Sequence, residues 1–202
     1  MKLYFSPGAC SLSPHIVLLE AGLGFTTERV DLGKKVTASG ADFRGINPKG
    51  YVPALELKDG SVLTEGPIIV QYIADQAPAS KLVPAAGTIE RYRVQEWLNF
   101  ISTELHKNFG PLFNRAASED AKNGAHTSLA NRFGYVERRL EGREYLMGPQ
   151  FSVADAYLFT VASWAAHVHV DLSSYPTLQA YVARVAARPA VQQALRDEGL
   201  LK

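Results

Sequence analysis

The sequence predicts a small mixed α/β domain joined to a larger all-helical one, and three observations carry that expectation. Short β-type runs alternate with helical ones through residues 1–80. A tight Asp-Gly turn links two of those runs into a hairpin. From Thr88 onward only the three- and four-residue spacing of helices persists.

Each element follows from its residues. KLYF (2–5) is a short apolar strand, and the turn after it is rich in Ser, Pro and Gly. Pro14 to Leu23 reads as a helix, with Ser11 or Ser13 as N-cap and Pro14 in the first turn; Gly22 and Gly24 stop it. FTTERVDL (25–32) is a second strand, and the segment after it carries no clear pattern. ALEL (54–57) and VLT (62–64) flank KDGS (58–61), a hairpin with Asp59-Gly60 at its tip. PIIVQYIADQ (67–76) is a compact helix. APASKLVPAAG (77–87) breaks the pattern, which gives a first domain over 1–80, a linker over 81–87 and a helical domain over 88–202. In the latter, Ile89, Tyr92, Trp97, Leu98, Ile101, Leu105, Phe109 and Leu112 mark one long amphipathic helix, bent or ended at Gly110-Pro111. Further helices are expected over about 119–141, 153–168, 177–187 and 190–196. SVAD (152–155) has the spacing of a capping box at the start of one of them.

Composition narrows the function classes. The 202 residues carry a net charge of +1 with no basic block, so there is no electrostatic footprint for nucleic acid or an anionic membrane. No apolar run reaches the roughly 20 residues of a membrane span, and MKLYFSPGAC breaks too early for a secretory signal. The single cysteine excludes an internal disulfide and suits a reducing, cytoplasmic setting.

That cysteine, Cys10, stands in the turn before the first helix. A helix N-terminus favours a thiolate and can draw the thiol pKa from about 8.5 toward ~3.5–7.5; a small hydrophobe filling a gap would also account for it. Pro53 precedes a strand and cannot donate to a ladder, which leaves the backbone of Val52 open to an extended ligand. Glu65-Gly66-Pro67 lies between strand and helix, where backbone N–H groups can hold a carboxylate and Glu65 can accept an ammonium; a first-turn acidic residue complementing the helix dipole would also account for Glu65. Together these suit an α-amino acid end.

In this order and spacing, SPGACSLSPHIVLLEAGL, NPKGYVPALEL, LTEGPIIVQYIA and FSVADAYLF resemble the cytosolic glutathione S-transferase family, and within it the bacterial beta class, over the whole chain. The resemblance implies a thioredoxin-like N-terminal domain followed by an all-helical domain, with glutathione as co-substrate, no other cofactor and no metal. It implies a cis Pro53, Val52 pairing by its backbone with the cysteinyl part of glutathione, and Glu65 with the Gly66 N–H holding the γ-glutamyl end. Gly66 is a departure, since many members have Ser there. Lys35 and Tyr51 are candidates near the glycyl carboxylate. Cys10 matches the beta-class catalytic position, with Tyr4 and Ser11 as possible helpers; it either stabilises the glutathione thiolate by a hydrogen bond or attacks as a nucleophile. Asn99, Thr103 and His106 form a polar stripe on the long helix, and the resemblance puts His106 near Cys10. There it can donate to a thiolate or move a proton. Lys107 helps electrostatically, and Asn99 reaches the glutathione of the partner in a homodimer.

The activity so implied is conjugation of glutathione to a hydrophobic electrophile, held in an apolar pocket with Phe109, Phe113 and Trp164. Two alternatives stay open: glutathione-dependent thiol–disulfide exchange or dehalogenation through Cys10, and a non-enzymatic binding or regulatory protein on the same fold. Other motifs fall away. Gly22-x-Gly24 follows a helix and fails the dinucleotide pattern. His167, His169 and Asp171 read as structural residues, not a metal site. Cys10 lacks a C-x-x-C partner.

Overall fold

A computed structural model describes residues 1–201, which divide into two compact units. One comprises Met1–Val83 together with the segment that begins at Ala187; the other is Pro84–Ala186.

The first unit is built on a five-stranded sheet. Its elements are β1 (Lys2–Phe5), α1 (Leu12–Glu20), β2 (Thr26–Asp31), β3 (Val36–Thr37), α2 (Phe43–Ile46), β4 (Ala54–Glu56), β5 (Val62–Thr64) and α3 (Gly66–Gln76). The spatial order is β3-β2-β1-β4-β5. β1 and β2 run parallel, as a β-α-β crossover requires, and every other pairing is antiparallel. The two-residue alternation of β1 sorts its side chains to opposite faces. The Phe5 ring meets His15 of α1 at 6.1 Å, while Tyr4 meets Phe43 of α2 at 5.8 Å.

Helix α1 begins at Leu12 and ends at Glu20, shifted from the expected Pro14–Leu23. Ser11 occupies the N-cap position without capping. Its hydroxyl accepts from the Ser6 amide at 3.1 Å and donates to the Ser6 carbonyl at 3.2 Å, bracing the turn that carries Cys10. Ser13 is buried within the helix. The segment without a sequence pattern holds β3 and α2, both too short to show a period.

The last helix, α9 by chain order (Pro189–Asp197), packs with the first unit, not with the helical domain in which the sequence boundary placed it. The residue after it, Glu198, is buried; it accepts from the Gly8 amide at 2.9 Å and contacts Nδ1 of His15 at 3.0 Å. Arg188 grips Glu20 with two bonds, 2.6 and 2.9 Å. These partners lie about as far away along the chain as possible, so periodicity could not reveal them.

The second unit contains α4 (Ile89–Phe100), α5 (Gly110–Phe113), α6 (Glu119–Leu140), α7 (Val153–Ser163) and α8 (Pro176–Ala186). The expected long helix is interrupted well before Gly110-Pro111. After α4 the chain makes a wide π turn over Ile101–Leu105 and a tight 3₁₀ turn over His106–Phe109. Ile89 and Tyr92 are exposed, whereas Trp97, Leu98, Ile101, Leu105 and Phe109 are buried. At the start of α7 the capping box is present, and Asp155 does more than cap. Its buried carboxylate accepts from the Ser152 amide and hydroxyl, the Leu146 amide and the Tyr181 hydroxyl, all at 2.7–2.9 Å. Four donors satisfy a charge that would otherwise be costly to bury. Among the described residues no helix is long and apolar enough to cross a membrane.

Candidate active site

In the first unit, three segments meet. The turn before α1 carries Cys10, the approach to β4 carries Tyr51, Val52 and Pro53, and the start of α3 carries Glu65 and Gly66. The Val52-Pro53 peptide is cis. Cys10 Sγ donates to the Val52 carbonyl at 3.2 Å, which ties the thiol to the peptide-like edge. The Val52 amide has no partner among the described residues.

Cys10 corrects the expectation of a lowered pKa. Its own amide and that of Ser11 point at the sulfur and favour a thiolate, as a helix N-terminus should. Burial outweighs them, the charge of Glu65 adds to it, and the thiol is pushed up to about 12. The group is a neutral donor at neutral pH. The two possible helpers are engaged elsewhere. Tyr4 donates to Glu56 at 2.7 Å, and the Ser11 hydroxyl is spent on Ser6.

Glu65 immediately precedes α3 with φ +71°, a conformation that side chains other than glycine seldom adopt and that clusters at functional sites. Its carbonyl receives the Ile68 and Ile69 amides, and its side chain makes no cap hydrogen bond to the helix. The carboxylate oxygen Oε1 accepts from the Tyr51 hydroxyl at 2.9 Å and is paired with Lys49 Nζ, which also reaches Thr64 Oγ1 at 3.0 Å. Lys49 was not among the sequence candidates, although it stands two residues before Tyr51 in NPKGYVPALEL. Tyr51 therefore faces the glutamate rather than standing alone. Lys35, itself at φ +58°, donates to the Gly50 carbonyl at 2.8 Å. A Cβ built on Gly66 would meet Pro53 Cγ at 3.7 Å, an ordinary contact, so a serine fits at this position.

In the second unit, His106 stands where the π turn passes into the 3₁₀ turn, the kind of local irregularity that recurs at functional sites. Along the polar stripe the Thr103 hydroxyl donates back to the Asn99 carbonyl at 3.1 Å. His106 Nδ1 shares a 2.7 Å hydrogen bond with the Tyr157 hydroxyl, and its ring stacks edge-on against Trp164 at 4.8 Å. Burial, helped by the charge of Lys107, lowers its pKa to about 4, so the imidazole is neutral. Tyr157 lies 51 residues away in sequence and carried no signal of this partnership. Phe109, Phe113 and Trp164 form a mutual ring cluster at 5.5–6.2 Å. Phe109 lies inside the core and presents no surface, while Phe113 is 51% exposed. Asn99 and Lys107 are both exposed.

Known proteins match this arrangement along its length. The sequence model of the glutathione S-transferase N-terminal domain matches residues 8–76, and that of the C-terminal domain matches residues 100–189. Glutathione S-transferase GstA of Escherichia coli O157:H7 is 47% identical over 99% of this chain and 100% of its own. A sphingomonad glutathione S-transferase, solved in complex with glutathione, has a TM-score of 0.96 at 50% identity over 99% of this chain and 100% of its own. The beta-class glutathione S-transferase of Sphingomonas chungbukensis superposes with a TM-score of 0.96 at 49% identity, covering 100% of both chains.

Proposed function

From the premise that this chain belongs to the glutathione S-transferase family, beta class, we propose that it binds glutathione through its first unit and conjugates the glutathione sulfur to hydrophobic electrophiles. One observation carries the reading: Cys10 Sγ is bonded to the carbonyl of Val52, so thiol and peptide-pairing edge form a single feature.

The roles follow from chemistry. The unpartnered Val52 amide pairs with the cysteinyl part of glutathione, as an added strand would. Glu65 takes the α-ammonium, and the Gly66 N–H, the first of α3, takes the adjacent carboxylate. Lys35 serves the remaining polar end, while the Tyr51 hydroxyl braces Glu65. Cys10, protonated, turns its S–H from Val52 toward the substrate sulfur and stabilises the thiolate there. Neutral His106 is proposed as the second catalytic group, able to accept or return a proton. The glutathione thiol loses its proton to solvent, its sulfur bonds to the electrophilic carbon, and the leaving group departs with the bonding electrons. Exposed Phe113 offers apolar surface on which such an acceptor rests, backed by the buried rings of Trp164 and Phe109, with Asn99 and Lys107 contributing from the solvent side.

Steady-state conjugation of glutathione to chlorodinitrobenzene tests this reading, and sedimentation of the same sample tests the proposed homodimer. The wild type is expected to turn over well above the uncatalysed rate. Glu65→Gln should raise KM for glutathione about ten- to a hundredfold, the loss of one charge-assisted contact of roughly 1.5–3 kcal/mol. A wild type no faster than buffer would overturn the transferase assignment.

A further inference from the structure

Glu65 is already matched to a cation that belongs to the protein. Lys49 Nζ sits on Oε1, the same oxygen that receives the Tyr51 hydroxyl, and is steadied by Thr64 Oγ1. An ammonium of the ligand arriving at Glu65 meets this ammonium, and two like charges on one carboxylate oxygen repel. We infer that Lys49 is a built-in competitor for the amino-acid head of the ligand: it holds Glu65 in the free protein and is displaced when the ligand ammonium binds. The inference rests on the reading of Glu65 as the ammonium site of glutathione.

The geometry suits displacement. The Lys49 and Glu65 side chains are 45% and 50% exposed, and exposed ion pairs are individually weak and screened by salt. A lysine also has a flexible four-carbon stem and a point charge with no fixed fork to break. Only a head that carries an ammonium can take the place of Lys49 on Glu65. The competition therefore costs only ligands that carry this ammonium, and weakens their binding by the strength of the Lys49–Glu65 pair. A head with a carboxylate and no ammonium leaves the Lys49–Glu65 pair in place.

The test is calorimetric titration of wild type and Lys49→Ala with glutathione and with the analogue lacking its α-amino group. Circular dichroism confirms that the variant is folded. Lys49→Ala should bind glutathione about two- to fivefold more tightly at low ionic strength, the range expected for an exposed pair, with the gap narrowing at high salt. It should show no gain for the deaminated analogue. Unchanged or weaker glutathione binding in the variant overturns the inference and leaves Lys49 as a surface lysine or a direct ligand contact. Equal gain for both ligands also overturns it. A wild type that binds no glutathione removes the underlying reading itself, an outcome seen before the variant is compared.

Discussion

Glu65 and Cys10 belong to the same unit and meet opposite treatment. Around Glu65 the groups are exposed and charged: a carboxylate, the Lys49 ammonium and the Tyr51 hydroxyl share one oxygen. The Lys49 pKa is raised, chiefly by its hydrogen bond to Glu65, so the cation is secure. Around Cys10, burial overrides the helix N-terminus and keeps the sulfur protonated. The difference separates recognition from chemistry. Exposed opposite charges can be exchanged for those of a zwitterionic ligand at little cost, whereas a half-buried neutral donor stabilises an anion that arrives beside it. His106 in the second unit repeats the Cys10 pattern with the opposite sign, since burial drives a base, too, into its neutral form.

Titration of His106 probes the effect of burial most strongly. Its pKa is about 4 in the folded chain and near 6.5 in an ordinary setting, so as pH falls the unfolded chain takes up the proton first. Stability from keeping His106 neutral is present above pH ~6.5 and is lost progressively as pH falls toward about 4, by at most about 3 kcal/mol. Urea unfolding of wild type and His106→Gln across that window isolates this share; the wild type should lose more stability than the variant. Parallel losses would mean that His106 is not held neutral by burial.

A smaller effect sharpens the role of Cys10. An S–H is a weak donor, so Cys10→Ala should lower the conjugation rate by only about two- to tenfold, the worth of one net hydrogen bond of roughly 0.5–1.5 kcal/mol. Cys10→Ser, which keeps a donor, should fall less. Abolition of conjugation by both substitutions would instead mark the sulfur as a nucleophile.

Much of this arrangement was legible in the residues. The strands KLYF, ALEL and VLT, the helix after Glu65 and the cis Pro53 all stand where composition or the resemblance placed them, because each depends on neighbours in sequence. What escaped depends on distant partners. Lys49 has meaning only beside Glu65, sixteen residues on, and Tyr157 only beside His106. The pKa of Cys10 could not be read at all, since sequence displays the helix N-terminus that lowers it and hides the packing that raises it. The π turn before His106 was hidden for a similar reason: an apolar period measured over a whole helix does not register one wider turn.

The role of Cys10 turns on its protonation, and the chain's single cysteine makes that directly measurable. The ultraviolet absorbance of the thiolate, taken as wild type minus Cys10→Ala to remove the tyrosines, should be followed against pH in the ligand-free protein. No thiolate signal below about pH 10 is expected from a thiol whose pKa burial has pushed up to about 12. A titration centred below pH 7 would show a thiolate ready to attack, and would contradict the role of Cys10 as a neutral hydrogen-bond donor.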